Sequence, residues 1–458
     1  MINSRRLDGL TVLGVALLAR VAVLLWARGR FPAVADGTYY DIFARRLAAG
    51  QGYTWAWPDG TITYAAHYPV GYPALLALPY GLLGGGASVA MGINALLGAG
   101  LAWAIHALLA PVSSRRGALL GGLAVALHPA LLPYTAAVMT EGVTASLLAL
   151  SAALLARRTG AGRIVAGLVL GAAVLVRPQS LVLAPLFGLL AARASARRWR
   201  EVVVRLATGV LITALALGVC APWTLRNCRR MGSCALVSVN GGWNLLIGTQ
   251  TTTGAWEPVD VPGPCRTVWD EAAKDACFGD AARSSIARNP AAWLGRVPSK
   301  LAVTLDYFGG APWYLHQSNA QVFPYGHKVA LGFVETVASR LLLIGALVAL
   351  ARRRGARRGL RLALGVLGGV FALQLHGWPA YVLLVIMGLL LGPRALLRGP
   401  VLIPVTLAVV AATALMHGAF FGAGRYGLVA APFVAALAFL HPGRGLGSGE
   451  ARAPVRLC

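Results

Sequence analysis

Apolar runs about twenty residues long recur along the chain, and short arginine clusters separate them. A helix of that length and composition can cross the hydrocarbon core of a bilayer. Hydrophobic residues make up 57% of the 458 residues and charged residues 12%, whereas soluble globular domains average about 45–50% and about 25%. The sequence therefore predicts an all-α polytopic membrane protein and excludes an ordinary soluble domain.

Arginine placement predicts which loops face the cytoplasm. The formal net charge is +26, which on a soluble chain would suggest a nucleic-acid partner. Here the basic residues stand in small groups between apolar runs: Arg115-Arg116, Arg157-Arg158, Arg197-Arg198 and Arg352-Arg353-Arg354. That is the positive-inside pattern of a membrane protein rather than a continuous basic face, so we expect no nucleic-acid binding.

The apolar runs predict about 11–13 membrane spans. The first run resembles a secretory signal, but Arg20 interrupts it and Arg28 and Arg30 follow it, so we expect an uncleaved helix. The predicted spans lie near residues 10–26, 88–110, 117–133, 139–156, 162–176, 180–193, 202–222, 331–350, 361–376, 380–393, 400–417 and 427–441.

The loops between these spans predict the organisation of the chain. A short apolar stretch in the first outer loop, near residues 72–83, contains prolines and is predicted to be a helix lying in the membrane interface. A second amphipathic helix is predicted over 291–300. The predicted parts are an N-terminal transmembrane module, 1–222, with its first outer loop, 29–87; an extracytoplasmic segment, 223–329; a C-terminal transmembrane module, 330–441; and a cytoplasmic tail, 442–458.

Four cysteines fall in the predicted extracytoplasmic segment: Cys228, Cys234, Cys265 and Cys277. An even number of cysteines in an oxidising compartment indicates disulfides. Of the three pairings that four cysteines allow, we favour the two local ones, Cys228–Cys234 and Cys265–Cys277. Zinc is the alternative, but no Cys-x-x-Cys spacing supports it.

Two acidic residues are candidates for chemistry because ionisable groups near a membrane are costly. Asp36 follows the first span, at the depth of the lipid headgroups, where a lipid-linked substrate would present its phosphate. The alternative is that Asp36 caps a helix beginning near Thr38. Glu141 lies in a short outer turn, and its alternative role is that of an acid favoured by a helix N-terminus. If both topology predictions hold, the two carboxylates share the outer face.

Three basic residues lie on the same predicted face as these acids. Arg177 and Arg425 each stand at the outer end of a span, and Lys300 ends the predicted helix 291–300. Guanidinium and ammonium groups bind phosphate, while anchoring to phospholipid headgroups is the alternative for each. His67 is a candidate ligand or base, and a structural role is its alternative. The chain has no P-loop, no dinucleotide-binding glycine motif, no GxSxG and no HExxH.

A set of short motifs stands in order along the chain: Asp36-x3-Tyr40-x3-Ala44, Gly50-x-Gly52-Tyr53, Tyr68-Pro69-x-Gly71-Tyr72-Pro73, Pro129 followed by Glu141, Arg177-Pro178, Pro222-Trp223-Thr224-x-Arg226-Asn227, Asn240-Gly241-Gly242-x-Asn244-Leu245 and Arg425-Tyr426. Taken in this order, the motifs resemble the GT-C class of membrane glycosyltransferases. More narrowly, the sequence is similar to the protein O-mannosyltransferase and lipid A aminoarabinose transferase superfamily, from about residue 8 to 441.

This resemblance implies transfer of a hexose or pentose, with inversion, from a polyprenyl-phosphate donor to an acceptor on the outer face. It implies Asp36 as the catalytic base or acceptor-activating carboxylate and Glu141 as a second catalytic carboxylate. The implied substrate-binding residues are Tyr40, Asp41, His67, Tyr72, Arg177, Lys300, Arg425 and Tyr426. The family often has an arginine where this chain has His67. Some relatives have two paired acids in the first loop, and here only Asp41 could be the second acid beside Asp36.

No cofactor is required for this chemistry, and the sequence does not support a divalent metal, although one is compatible with it. The expected partners are the lipid-linked sugar donor, membrane lipids and an acceptor that is a protein, a glycolipid or a polysaccharide. Arginine used in place of lysine suggests a bacterium, by composition only, and therefore the inner membrane with the site facing the periplasm or exterior. The alternative functions are a lipid or saccharide transporter or flippase, which would predict inverted repeats, and a non-catalytic envelope-assembly scaffold.

Overall fold

The computed structural model describes residues 4–191, 198–354 and 357–441. The first half is helical apart from one antiparallel hairpin, in which Trp55 is paired with Thr63. Its elements are α1 (Ser4–Ala27), α2 (Asp36–Ala48), β1 (Thr54–Ala56), β2 (Ile62–Tyr64), α3 (Gly71–Leu83), α4 (Ala87–Leu109), α5 (Arg115–Ala126), α6 (Thr140–Ala156), α7 (Gly160–Val176), α8 (Leu183–Ala191) and α9 (Arg198–Arg230), with short 3-10 helices at Pro133–Ala136 and Pro178–Val182.

The described second half is also helical. Its elements are α10 (Gly241–Gln250), α11 (Gly263–Arg266), α12 (Glu271–Arg288), α13 (Pro290–Gly295), α14 (Val297–Leu305), α15 (Gly310–Ser318), α16 (Tyr325–Arg352), α17 (Arg358–Leu373), α18 (Trp378–Leu389), α19 (Pro393–Arg398), α20 (Leu402–Ala419), α21 (Gly424–Gly427) and α22 (Ala431–Leu437). The predicted cytoplasmic tail, 442–458, lies outside the described residues.

The predicted fold class, a multi-pass α-helical membrane protein, is confirmed. Within the described residues, α1, α4, α9, α16 and α20 are long and apolar enough to cross a membrane. Shorter apolar helices of 10–17 residues, among them α3, α6, α7 and α18, pack among the long ones. Several predicted spans are thus helices too short to cross a bilayer of about 30 Å unaided.

The bundle is assembled through small residues where helices approach closely. A Cβ added at Gly171 of α7 would lie 2.6 Å from the Cβ of Val219 on α9. A Cβ at Gly188 of α8 would lie 2.5 Å from the Cα of Gly209, also on α9. Such contacts let helix backbones pack by van der Waals contact, which drives helix association in lipid where the hydrophobic effect is weak.

Helix ends differ from the predicted ones in three places. The predicted span 202–222 continues as α9 to Arg230, because Pro222 is accommodated inside the helix. The predicted amphipathic helix 291–300 is two helices, α13 and α14, which meet at Arg296, where Pro298 occupies the first turn of α14. The predicted span 427–441 is interrupted, with α21 and α22 as its helical pieces.

The disulfide pairing is the local one favoured from sequence. Cys228 is bonded to Cys234 at the end of α9, and Cys265 is bonded to Cys277. Cys265 is buried with Leu246 and Phe278, so its bond joins α11 to the packed pair formed by α10 and α12. The segment predicted to be extracytoplasmic is therefore a packed helical layer rather than a loose loop.

Removing the Cys265–Cys277 bond is expected to destabilise this layer. From loop-closure entropy, we expect the Cys265–Cys277 bond, with its twelve-residue separation, to stabilise the folded state by about 3 kcal/mol. The Cys228–Cys234 bond, with its six-residue separation, should stabilise it by about 2 kcal/mol. We expect serine replacement of Cys265 and Cys277 to lower the melting temperature more than replacement of the other pair. Hydrogen exchange over α11 and α12 measures the loss, and equal protection in both double variants would contradict the prediction.

Candidate active site

Asp36 is the first residue of α2 and follows a strained backbone position. The preceding residue, Ala35, has a positive φ of 51°, a conformation that costs a non-glycine residue about 1–3 kcal/mol and is concentrated at functional sites. The Asp36 side chain makes no capping bond to α2. Instead, its Oδ2 accepts a hydrogen bond from Nη2 of Arg425 at 2.6 Å. The carboxylate is thus committed to a long-range ion pair and not to its own helix.

One oxygen of Asp36 stays available for chemistry. The side chain is 34% exposed, and within the described residues no donor is bonded to Oδ1. A carboxylate oxygen in this state can accept a proton from a bound hydroxyl group.

Glu141 is held much more completely. It lies in the first turn of α6 and its side chain is 2% exposed. Its Oε1 pairs with Nη1 of Arg177 at 2.8 Å, and its Oε2 accepts a hydrogen bond from the Tyr134 hydroxyl at 2.7 Å. Burial and the neighbouring Glu141 carboxylate hold the pKa of the Tyr134 phenol well above its usual value, so the phenol remains a donor to the carboxylate.

Arg425 brings the two acids into one site. Its Nη2 contacts Asp36, and its Nε lies 3.5 Å from Oε1 of Glu141. The residues come from the start of α2, the start of α6 and α21, which are 105 and 284 residues apart along the sequence. The sequence expectation that Asp36 and Glu141 converge on one face therefore agrees with the geometry.

The two arginines share an aromatic neighbour. The guanidinium carbon of Arg177 lies 4.9 Å from the ring centroid of Tyr426, and that of Arg425 lies 5.3 Å from it. The ring of His417 stacks on the Tyr426 ring, with centroids 4.1 Å apart. Cation–π contacts and stacking fix the plane of each guanidinium. The amide of Gln179 lies beside Arg177, where its oxygen, when turned inward, accepts from Nε at 3.0 Å.

A small cleft of about 30 Å³ opens beside Arg177. Its polar lining residues are Arg177, Gln179, His417, Tyr426, Thr144, Ser180 and Thr413. Its apolar lining residues come from α6, α8 and α20 and from the segment before α22, namely Leu148, Leu183, Val409, Ala412, Met416 and Val429. The cleft therefore places the Arg177 guanidinium next to apolar side chains.

Three further predicted residues line the base of the first loop. Tyr40 is buried on α2, edge-on to the ring of the fully buried Tyr72 at 5.8 Å. Asp41 accepts hydrogen bonds from the Tyr80 hydroxyl at 2.6 Å and from Nε of Arg45 at 2.7 Å. Asp41 thus belongs to a separate ion pair on α2 and is not brought to Arg425 by these contacts.

His67 lies where the first loop meets the extracytoplasmic segment. Its backbone N–H donates to Oε2 of Glu271 at 3.0 Å, and the N–H of Ala66 donates to the same oxygen at 2.7 Å. Burial lowers the pKa of the His67 imidazole, which favours its neutral form. The disulfide-bonded layer therefore packs directly on the loop that carries Asp36.

Lys300 is buried apart from the acidic pair. Its Nζ donates to the carbonyl oxygens of Gly418 and Ala419, each at 3.3 Å, and burial lowers its pKa to about 8. An ammonium group at this position neutralises the last carbonyls of α20, where the helix dipole favours a cation. The contacts of Lys300 are therefore those of a helix-terminus cation, and none of them joins it to Asp36 or Glu141.

Tyr134, His417 and Gln179 belong to the site and were missed in the sequence. Tyr134 stands seven residues before Glu141, beyond the spacing at which residues of one helix meet, so only the turn at Pro133 brings them together. The proline-tyrosine pair in a short outer turn is the signal that could have identified it. His417 lies in an apolar run, and its contact with Tyr426 is what makes it part of the site. Sequence spacing does not indicate that contact.

The site contains two carboxylates and two guanidinium groups in mutual contact. Each acid is already neutralised by an arginine, and within the described ranges no three His, Cys, Asp or Glu side chains come together as a metal-binding group. A monoanionic phosphate entering beside Arg177 would meet cations whose geometry is fixed in advance. Together with the accessible Oδ1 of Asp36, the arrangement suits acid–base chemistry next to a bound phosphate.

Gly37→Ala is expected to disturb this site through the backbone. A Cβ at Gly37 would lie 2.6 Å from the carbonyl oxygen of Val138, in the turn that leads to Glu141. Because a backbone atom cannot give way easily, α2 must move and carry Asp36 with it. We expect activity to fall at least tenfold, since misplacement by about 1 Å can cost about 10²-fold. Gly81→Ala, where no atom lies within 4 Å of the added Cβ, is the control, and equal activity of the two variants would contradict the prediction.

No protein-family model matches the sequence, and no curated protein sequence matches it. Solved structures do. The Archaeoglobus fulgidus oligosaccharyltransferase tethered with an acceptor peptide is 14% identical, with a TM-score of 0.47, covering 94% of this chain and 49% of that one. AglB from the same organism, in complex with an inhibitory peptide and a dolichol-phosphate, has a TM-score of 0.44 at 14% identity, covering 94% and 50%.

ArnT from Cupriavidus metallidurans, bound to undecaprenyl phosphate, is 14% identical with a TM-score of 0.39, covering 94% of this chain and 76% of that one. This chain therefore spans about half the length of the archaeal oligosaccharyltransferase and three quarters of ArnT. The chain is thus similar in structure to the archaeal oligosaccharyltransferase and to ArnT, each at 14% identity.

Proposed function

We propose that the protein is an inverting glycosyltransferase that moves a hexose or pentose from a polyprenyl-phosphate donor to an acceptor hydroxyl. The observation that carries the proposal is the contact of Arg425 with both Asp36 and Glu141. Arg177, which pairs with Glu141, also lines a small cleft next to apolar side chains. A guanidinium group in such surroundings suits the anionic head of a lipid-linked donor, and the exposed carboxylate of Asp36 suits a base for the acceptor.

Asp36 acts as the base. The acceptor hydroxyl donates its proton to Oδ1 while Arg425 holds Oδ2 at 2.6 Å. The hydroxyl oxygen forms a bond to the anomeric carbon of the sugar as the bond from that carbon to the phosphate oxygen breaks. The electron pair leaves with the polyprenyl phosphate, and displacement in a single step inverts the configuration. A positioned base contributes about 10²–10⁴-fold to such a step.

Arg177 and Arg425 stabilise the phosphate that leaves. The side chain of Arg177 is 11% exposed and lines the small cleft next to leucine and valine side chains. Negative charge grows on the phosphate oxygens as the sugar departs. Preorganised cations in a site with little water stabilise such charge by several kcal/mol.

Glu141 is a positioning residue in this mechanism and not the base. It is buried, and its two oxygens are occupied by Arg177 and Tyr134, with Arg425 nearby. An acceptor hydroxyl has no access to a carboxylate that is enclosed in this way. Its charge instead holds two guanidinium groups together against their mutual repulsion, which keeps the phosphate site assembled before the donor arrives.

The disulfide-bonded layer supports a site that faces the periplasm or the exterior. Disulfides form and persist in oxidising compartments, and the layer that contains them binds the first loop through Glu271. Asp36 belongs to the same end of the helix bundle, since α2 opens that loop. The proposed location is therefore the outer side of a bacterial inner membrane.

Transfer by the purified chain tests the proposal. The protein is reconstituted in nanodiscs with a radiolabelled polyprenyl-phosphate hexose or pentose and an envelope extract as the source of acceptors. We expect release of polyprenyl phosphate and a labelled product of inverted anomeric configuration. A donor that is never consumed, or that crosses the bilayer of sealed vesicles intact, would contradict the proposal, and the second result would favour a transporter.

A further inference from the structure

A row of aromatic rings extends from the site across the first loop. We call Tyr68, Tyr39, Trp55 and Trp57 the aromatic strip. The Tyr68 and Tyr39 rings are stacked with centroids 4.8 Å apart, Tyr39 and Trp55 meet edge to face at 5.7 Å, and Trp55 and Trp57 are 6.2 Å apart. Each ring contacts the next, while the planes of neighbouring rings turn by 20°, 83° and 42° along the row.

The inner end of the strip lies at Asp36. Tyr39 stands three residues after Asp36 on α2, the spacing at which side chains of a helix are neighbours. Tyr68 lies within the electrostatic influence of the same carboxylate, because burial first and the charge of Asp36 next raise the pKa of its phenol. The strip therefore begins where an acceptor hydroxyl must be placed.

Two rings of the strip are exposed, and both of its indoles are held in position. Tyr39 is 38% exposed and Trp57 is 50% exposed. The indole N–H of Trp57 donates to Oγ1 of Thr63 at 2.8 Å, and that of Trp55 donates to Glu271. Because both indoles are anchored through their polar edges, the ring orientations are fixed before any ligand binds, which reduces the entropy cost of binding.

The strip lies on the packed aromatic cluster of the loop. That cluster consists of Phe43 and Tyr53, stacked at 4.2 Å and buried, with Val70 and Ala65 around them, and Trp55 and Tyr68 pack against it. Trp57 lies outside the cluster, next to the turn that precedes Ile62. The inner rings are therefore supported by the core, while the exposed Trp57 ring is open to a ligand.

We propose that the aromatic strip binds a glycan chain, so that the acceptor of this enzyme is an oligosaccharide or polysaccharide. This inference rests on the proposed transfer reaction and names its acceptor. The C–H faces of pyranose and furanose rings are flat and apolar, with hydroxyl groups at their edges, and they pack on aromatic faces. Successive sugars would lie along successive rings, with the terminal hydroxyl at Asp36.

Charge at the outer end favours a glycan over a lipid surface. Trp57 is followed by Pro58 and by Asp59, whose carboxylate is exposed and accepts a hydrogen bond from the N–H of Thr61 at 2.9 Å. A carboxylate is costly to bring into the apolar region of a bilayer and is repelled by anionic headgroups. The same group can accept hydrogen bonds from sugar hydroxyls.

Acceptor-length dependence tests the inference. Tyr39→Ala and Trp57→Ala are compared with wild type on linear tetrasaccharides of hexoses or pentoses and on the matching monosaccharides. We expect the KM for the tetrasaccharide to rise about tenfold in each variant, the loss of roughly one ring contact. Monosaccharide kinetics should be unaltered in Trp57→Ala, because that ring lies at the outer end of the strip, and the KM for the monosaccharide should rise in Tyr39→Ala. Trp199→Ala, which removes an exposed tryptophan at the far end of α9, is the control and should match wild type.

Binding measured without turnover separates this inference from the proposed reaction. Saturation-transfer NMR of the tetrasaccharide with Asp36→Asn should show contact with aromatic protons that is lost in the Asp36→Asn/Trp57→Ala double variant. If the wild-type protein transfers no sugar but binds the tetrasaccharide, the proposed reaction is wrong and the glycan site remains. The glycan site would be overturned by unchanged KM values in the strip variants, by the use of peptides alone as acceptors, or by quenching of Trp57 fluorescence by brominated lipids. In each of these cases, donor consumption that depends on Asp36 would still support the proposed reaction.

Discussion

Asp36→Asn is expected to lower the rate of sugar transfer by about 10³-fold. Asparagine has nearly the same shape as aspartate and can still accept a hydrogen bond from Arg425, so the position of α2 should be retained. It cannot take a proton from the acceptor hydroxyl, which is the step assigned to the oxygen that stays open in this site. The defect should therefore appear in kcat, with donor binding little changed.

The measurement is the initial rate of polyprenyl-phosphate release in nanodiscs, normalised to folded protein. Asp280→Asn is the control, because it neutralises an exposed acid of α12 whose ion pair with Arg283 contributes little. Mass spectrometry of envelope glycans from cells that carry either variant gives the same comparison in vivo. Normal product from Asp36→Asn at a normal protein level would remove Asp36 from the reaction.

The architecture was largely predictable because the bilayer imposes it. A span must satisfy its backbone groups within a helix, so apolar length and arginine placement were sufficient to predict a multi-pass helical protein. Helix ends were less predictable, because packing decides them. Pro222 would end an isolated helix, yet α9 continues past it, while Pro298 coincides with a real break between α13 and α14.

The site was predictable to the extent that charges in apolar surroundings are rare. Asp36, Glu141, Arg177 and Arg425 stood out for that reason, and the structure joins all four. Lys300 stood out equally, but its contacts are with the end of α20, since the same cost of burial applies to a structural cation. Sequence spacing cannot distinguish a charge of the candidate site from a structural charge, because the partner of each group comes from a distant element.

The difference between the two acids also lay beyond the sequence. Both are acids in the first turn of a helix, yet one is 34% exposed and the other 2%. In the proposed mechanism, this difference separates a base that is open to substrate from an acid that organises the phosphate site. This division depends on Tyr134 and on the turn that encloses Glu141, which are tertiary features.

Arg425→Ala is expected to lower transfer by about 10²–10³-fold, because it removes the group that stabilises the leaving phosphate and orients Asp36. It also leaves Glu141 with Arg177 as its one remaining ion-pair partner. Arg425→Lys should restore only part of the rate, since a single ammonium cannot hold both acids in the plane that a guanidinium fork provides.

Added methylguanidinium should distinguish a role in the reaction from a role in folding. In Arg425→Ala it can occupy the space left beside Tyr426 and contact both carboxylates, so we expect the rate to recover in proportion to its concentration, with no such effect on wild type. The control is Arg283→Ala, which breaks an arginine–aspartate pair that is exposed on α12 and contributes little. Melting temperatures are recorded for both variants. A rate per folded molecule that equals wild type in Arg425→Ala would show that the bridge between the acids only supports the fold.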